Sequence, residues 1–226
     1  MIVSIKDLSE FLQEWYNDDD LGLPVDQMAI PSYAARPLVD LWREIGRLTI
    51  PYEYDMPGPL ATQNRLVSPG KLKHLGGLVP FAFENQNVWT WCHEFGAKAD
   101  NPKVITEGPA STQNDQHIYL TEFLISFVLE ETVFFSWDRY ERHSDEKRRS
   151  MFNDCTENVI SEDNHSIKTN AKRTLLLNDH GSEEGLYVGE RALARERWSV
   201  IRAKSPQPKS AEAFGSIKAL FGKLKF

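Results

Sequence analysis

Apolar residues recur every three or four positions in three segments of the chain, which is the spacing of helices with one buried face. The first predicted helix covers residues 4–16, and Ser4 is placed to cap its N-terminus. The second begins at Pro37, because a proline costs no hydrogen bond in the first turn of a helix. The third covers residues 118–137, and its wide apolar stripe, interrupted by Glu131, predicts burial on more than one face.

Residues 78–93 show the alternation that is typical of a β-hairpin. Its first strand places apolar side chains on every second position, at Val79, Phe81 and Phe83. The second strand is predicted at residues 88–92, which have the same β-rich composition. Asparagine tolerates left-handed backbone angles, so residues 85–87 can close the hairpin without a glycine. A turn at residues 100–104 then leads into a third predicted strand.

The pattern weakens after residue 137, where most positions are polar or charged. Short strands are predicted at residues 185–188 and 198–201. We assign residues 1–204 to one α+β domain, in which residues 138–204 extend the better patterned part of the chain.

Residues 205–226 differ in character from this domain. The segment begins with serines and prolines, a composition that is typical of a linker. Apolar residues then return at helical spacing over residues 213–226, with lysines beside them. This basic amphipathic tail helix could dock on its own acidic domain, rest weakly on a membrane surface or bind a partner, and the sequence leaves these alternatives open.

The overall composition predicts a soluble, cytoplasmic protein. At 226 residues, of which 41% are hydrophobic and 11% aromatic, the chain can bury a sizeable core. No apolar run reaches membrane-spanning length, and the N-terminus has no basic region followed by an apolar core. Cys92 and Cys155 form no metal or redox spacing and are predicted to be reduced thiols.

The charge of the chain is unevenly distributed. The net charge is −7 in total and +4 over residues 204–226, so residues 1–203 carry −11. Such an acidic body would repel phosphate, which argues against nucleic acid as its ligand. It suits a basic protein partner, because opposite fields speed the encounter of two proteins.

The sequence contains no catalytic or cofactor motif that we recognise. Its histidines lack the spacing of a zinc-binding helix, and residues 70–77, although basic and rich in glycine, have the wrong order for a phosphate loop and are interpreted as a turn. Glu130 and Glu131 would diverge by about 100° on a helix, so they cannot share a proton. Cys92 and His93 would point to opposite faces of a strand, which argues against a nucleophile pair. We predict no catalytic residue, metal or cofactor, with an enzyme site assembled from distant acids and histidines as a rival hypothesis.

Two acidic segments are the candidate surfaces for binding a partner. One is bounded by prolines and alternates tyrosines with acids, and tyrosines give large contact area at low entropic cost. The other is a run of three aspartates that follows the first predicted helix. Carboxylates in both could pair with arginines or lysines of a partner. The candidate partner-binding residues are Tyr52, Glu53, Tyr54, Asp55, Asp18, Asp19 and Asp20.

The order of these features resembles the SUKH superfamily, which includes bacterial toxin-immunity proteins and yeast regulators of cell-wall synthesis. The similarity spans about residues 20–137, and its segments are residues 30–33, 38–46, 78–91, 100–104 and 120–124. The resemblance implies an α+β fold with a central, mainly antiparallel sheet and flanking helices. It also implies binding of a cognate polymorphic toxin, often a nuclease or deaminase, and it carries no catalytic motif.

We therefore expect a cytoplasmic bacterial immunity protein that neutralises its toxin by stoichiometric occlusion. The expected partner is a basic toxin domain, and nucleic acid is not expected to bind. The alternative is a regulatory or scaffold module that uses the same fold to bind cellular proteins. The sequence does not identify the toxin or its chemistry.

Overall fold

A computed structural model of the chain describes residues 2–23, 29–49, 58–86, 88–96, 100–108, 115–136, 157–161, 165–169, 174–179 and 186–204. The described helices are α1 (Ile5–Tyr16), α2 (Arg36–Ile45), α3 (Leu120–Phe135) and α4 (Arg191–Lys204). The strands are β1 (Asn64–Leu66), β2 (Leu78–Glu84), β3 (Thr90–Glu94), β4 (Lys103–Glu107), β5 (Asp115–Tyr119), β6 (Glu157–Ser161), β7 (His165–Thr169), β8 (Thr174–Asp179) and β9 (Leu186–Glu190). Short 3-10 turns lie at Gly46–Thr49 and Pro69–Lys71.

The described strands form two antiparallel sheets. The first has the order β1-β2-β3-β4-β5, and the second has the order β6-β7-β8-β9. Each strand pairs with its neighbour in sequence, so both sheets are meanders. The predicted α+β class, with a mainly antiparallel sheet and flanking helices, is confirmed. Within the described ranges, no helix combines the length and apolar character needed to cross a bilayer.

The first two helices form where the apolar spacing predicted them. The Ser4 hydroxyl accepts a hydrogen bond from the Asp7 backbone N–H at 3.1 Å, which caps α1. Asn17, with a φ of 55°, ends this helix in the left-handed conformation. Helix α2 has Pro37 in its first turn and buries an apolar stripe against α1.

Helix α3 lies at the centre of the fold and starts later than predicted. It begins at Leu120, because the preceding residues form β5 and not a first helical turn. The Asn101 carboxamide oxygen accepts from the backbone N–H of Thr121 at 2.9 Å and from its hydroxyl at 3.1 Å. The predicted turn at residues 100–104 therefore also fixes the start of α3.

The predicted hairpin is formed by β2 and β3. Its register pairs Leu78 with Glu94 and Phe83 with Thr90. The second strand begins at Thr90, two residues later than predicted, because the Glu84 carboxylate accepts from the Val88 backbone N–H at 3.2 Å and widens the turn. The hairpin packs on α3 through an aromatic cluster of Phe81, Trp91, Phe123 and Phe127.

The C-terminal region differs from its prediction in one element. Residues 198–201, predicted as a strand, belong to helix α4, so that prediction is wrong. The reason is that Ala194, Trp198 and Ile201 are buried at helical spacing, whereas four residues are too few to distinguish the period of a helix from that of a strand. The strand predicted at residues 185–188 is confirmed as the start of β9.

Strand β9 joins the second sheet to the end of α3. A side chain at Gly189 would bring its Cβ to 3.0 Å from the Val133 Cα, so only glycine allows this close approach. The Glu190 backbone N–H donates to the Ser136 carbonyl oxygen at 3.1 Å beside it. The tail at 205–226 and the segment Tyr52–Asp55 lie outside the described residues, and the assignment of residues 1–204 to one domain stays a prediction.

Candidate protein-binding groove

A buried carboxylate on α3 positions the edge strand β1. Glu131 is fully buried, and it accepts hydrogen bonds from three consecutive backbone N–H groups at 2.8, 2.9 and 2.7 Å. The donors are Thr62, Gln63 and Asn64. This acid interrupts the apolar stripe of α3 in the sequence, and the structure explains why. It gives three partly buried backbone amides a hydrogen-bond acceptor.

The protonation of Glu131 is shifted toward neutral pH. Burial raises the pKa of this carboxyl to about 7, even though the three amide donors favour the charged form and lower it. The contact between α3 and the start of β1 is therefore sensitive to pH in the range where most carboxyls are fully ionised.

Strand β1 carries a cation onto the surface of the sheet. Arg65 pairs directly with Phe83 of β2, so the two side chains share one face. The guanidinium carbon lies 6.0 Å from the centre of the phenyl ring, which is at the limit of a cation–π contact. The chain then continues through the turn at Pro69–Lys71 before it enters β2.

A groove with a volume of about 360 Å³ lies between β1, this turn and β2. We call it the basic groove and define it by three cations and three apolar side chains. These are Arg65, Lys71, Lys73, Leu75, Pro80 and Phe83. Pockets of this size are at the small end of the range that proteins use for ligands.

The three cations of the basic groove carry no compensating charge from the described part of the chain. Arg65, Lys71 and Lys73 are all exposed. Among the described residues, the ion pairs involve other cations, and none is formed by these three. The groove is thus a local positive area on a chain with a net charge of −7.

An apolar rim adjoins the basic groove. Leu75 is 66% exposed and Phe95 is 44% exposed, so both leave apolar area open to solvent. The ring of Phe95 lies 4.3 Å from that of His74 and 5.5 Å from that of Tyr33, measured between centroids. The Tyr33 hydroxyl donates to the Leu72 carbonyl oxygen at 2.9 Å and fixes this cluster. We call Tyr33, His74, Leu75 and Phe95 the apolar rim.

Backbone geometry holds the rim in place. Gly76 and Gly77 have φ angles of 57° and 91°, which side chains would oppose. They close a tight turn in which Leu75 and Leu78 exchange two backbone hydrogen bonds, at 2.8 and 2.9 Å. The Phe95 backbone N–H donates to the Gly77 carbonyl oxygen at 2.7 Å. The exposed side chains therefore stand on a fixed backbone, and little order has to be gained on binding.

Asp18, one of the predicted partner-binding residues, is used inside the molecule. Its carboxylate is only 15% exposed and lies 2.9 Å from the Arg202 guanidinium of α4. The Trp198 indole N–H donates to the same oxygen at 2.8 Å. The Asp18 side chain thus joins the end of α1 to α4.

The other predicted acids have different settings. Asp20 is 63% exposed and pairs with Arg47 at 2.9 Å, while Asp19 is exposed. Tyr52, Glu53, Tyr54 and Asp55 lie outside the described residues. A role in partner binding stays a prediction for all seven residues.

Burial shifts the pKa values of the Cys92 thiol and the His93 imidazole on β3. The Cys92 thiol donates to the Glu107 carboxylate at 3.8 Å, and burial raises its pKa to about 12, so it is kept protonated. Burial lowers the pKa of His93, whose Nδ1 lies 2.9 Å from the Glu94 carbonyl oxygen. The thiol and the imidazole contact different partners, as expected for neighbours on a strand.

Residues 70–77 were predicted only as a turn, with no role in binding. In the structure they supply Lys71, Lys73 and Leu75 to the groove and rim. Two lysines that alternate with leucines were the available signal. The exposed Leu75 directly precedes Gly76 and Gly77, the two glycines that reverse the chain. Comparisons of the chain with protein-family models, with curated proteins and with solved structures gave no match.

Proposed function

We propose that this protein binds another protein through the basic groove and apolar rim, and that the partner is a toxin which it neutralises. The observation that carries the proposal is the exposure of Leu75 and Phe95 on a fixed backbone, beside three cations that form no ion pair with a described residue. Exposed apolar area of this kind, bordered by charge, is typical of surfaces that bind proteins. The toxin as partner comes from the resemblance to the SUKH superfamily.

The mechanism is occlusion by a stable complex. Burial of each large apolar side chain of the rim would contribute roughly 1.5–3 kcal/mol to binding. The exposed cations would act mainly on the rate of association and on the choice of partner, and their effect would weaken with salt. A toxin held in this way would be unable to reach its substrate.

The test is a pull-down with the product of the neighbouring gene, followed by a growth-rescue assay in cells that express this product. Two variants separate the rim from a general loss of apolar surface. Leu75→Ser combined with Phe95→Ser should weaken the complex at least about a hundredfold and abolish rescue. Val200→Ser, which alters an exposed valine on α4, is the matched control and should bind and rescue like the native protein. A neighbouring product that is neither toxic nor bound would contradict the proposal.

A further inference from the structure

We infer that the basic groove takes a short acidic segment of the partner, with one apolar side chain seated between two or more carboxylates. The inference rests on the proposed function in one respect, namely that the segment belongs to the bound protein. The apolar side chain would contact Leu75, Pro80 and Phe83, and the carboxylates would pair with the three cations.

The charge of the whole chain limits the length of the ligand. Arg65, Lys71 and Lys73 attract an anion locally, but residues 1–203 carry −11. Screening reduces charge effects beyond about 8 Å at physiological ionic strength, so a few carboxylates in the groove feel mainly the three cations. A long polyanion would extend over the acidic surface and be repelled. This favours an acidic peptide segment over nucleic acid.

The volume of the groove agrees with a small occupant. About 360 Å³ is close to the lower limit for ligand pockets, so the groove accommodates a few side chains and not a folded element. The apolar wall provides the contact area, and the cations at its border set the sign of the charge that is accepted.

The edge of the sheet is already occupied, so a peptide cannot add as a further strand on β1. The Asn64 backbone N–H donates to Glu131 at 2.7 Å, and the Leu66 N–H donates to the Leu60 carbonyl oxygen at 3.4 Å. These two backbone N–H groups point away from β2, because the backbone of Arg65, between them, is the one that pairs with β2. Recognition must therefore come from side chains in the groove, which makes it sensitive to charge.

The experiment uses the full chain, labelled with nitrogen-15, and synthetic eight-residue peptides that alternate glutamate with leucine. Matched peptides carry glutamine or lysine in place of glutamate. We expect the glutamate peptide to shift the amide signals of Arg65, Lys71 and Leu75, and the glutamine peptide to bind at least about tenfold more weakly. Equal binding of the glutamate and glutamine peptides, or no binding of either, would overturn the inference.

Charge reversal locates the effect. Lys71→Glu combined with Lys73→Glu should weaken binding of the glutamate peptide at least about tenfold. Lys6→Glu combined with Lys103→Glu makes the same change in net charge at exposed positions of α1 and β4 and should have little effect. Equal weakening by both pairs would mean that only the overall charge matters and would overturn the inference.

Three further outcomes are distinguishable. A single-stranded oligothymidine that binds more tightly than the glutamate peptide, with the same dependence on Lys71 and Lys73, would replace the acidic segment by nucleic acid. Binding of the glutamate peptide without binding of the neighbouring gene product would leave the groove's specificity intact and refute the proposed toxin partner. If the gene product binds and Lys71→Glu combined with Lys73→Glu has no effect, the role of the groove is refuted while the proposed toxin partner is not.

Discussion

The acidic run at Asp18–Asp20 and the basic groove are both short clusters of like charge, yet the chain uses them in opposite ways. Asp18 is bound by a tryptophan and an arginine of α4, and Asp20 is paired with Arg47. The three cations of the groove form no ion pair with any described residue. The difference teaches that a charged cluster is a stronger candidate for a binding surface where the described part of its own chain leaves it without ion pairs.

The largest effect is expected at Glu131, which holds the edge of the groove. Glu131→Ala would remove the shared acceptor of three backbone N–H groups, and each hydrogen bond to a charged group that is lost costs about 1.5–3 kcal/mol. We expect the free energy of unfolding to fall by about 4 kcal/mol, measured by urea denaturation. Glu196→Ala, at an exposed position of α4, is the control and should change it by less than about 0.5 kcal/mol. Similar losses in both variants would contradict the assigned role of Glu131.

Glu131 should also make stability depend on pH. Its pKa is raised to about 7 in the folded protein, from an ordinary value of 4.5, so the folded state binds the proton more tightly than the unfolded state. The resulting stabilisation is complete below about pH 4.5 and is lost as pH rises through about 7. Its size is about 3 kcal/mol, since each pKa unit corresponds to about 1.4 kcal/mol.

The variant Glu131→Gln isolates this contribution. It cannot ionise, so the free energy of unfolding should fall less between pH 5 and pH 8 than in the native protein, as measured by urea denaturation at both values. The comparison is needed because His93, whose pKa is lowered by burial, contributes in the opposite direction, stabilising at higher pH. Parallel pH profiles of the two proteins would show that Glu131 does not titrate in this range.

Asp18 should matter more for stability than its neighbour Asp19. Asp18→Ala removes the acceptor of the Trp198 indole and of the Arg202 guanidinium, and we expect a loss of about 2 kcal/mol in the free energy of unfolding. Asp19→Ala alters an exposed side chain one position away and should change it by less than about 0.5 kcal/mol. If both variants lose the same amount, Asp18 does not hold α4 to α1.

The sequence predicted the elements whose pattern is local. Helices α1 and α2 and the β2-β3 hairpin follow from periodicity, because each buries one face against a single core. The α4 segment was misassigned because its buried residues are few and are spread over a surface rich in arginine. Its position depends on contacts with residues about 180 positions away, such as that between Trp198 and Asp18. A short stretch of sequence contains no information about such contacts.

The groove could not be predicted for a related reason. The residues of β1 carry little strand signal, and their pairing with β2 is fixed by a carboxylate on α3 almost 70 positions away. Whether Lys71 and Lys73 form ion pairs is also decided by the tertiary fold. The sequence supplied the charges of both clusters but not the partners that distinguish them.

The smallest effect is expected at the two lysines of the groove, which form no ion pair with the described part of the chain. Lys71→Glu combined with Lys73→Glu should change the free energy of unfolding by less than about 0.5 kcal/mol, because neither lysine forms an ion pair with a described residue. Arg202→Glu, which places a carboxylate against Asp18, should cost at least about 2 kcal/mol in the same urea experiment. A loss in the lysine variant equal to that in the arginine variant would mean that the fold itself depends on the groove's charge, and the groove would then be a structural feature rather than a surface kept for a partner.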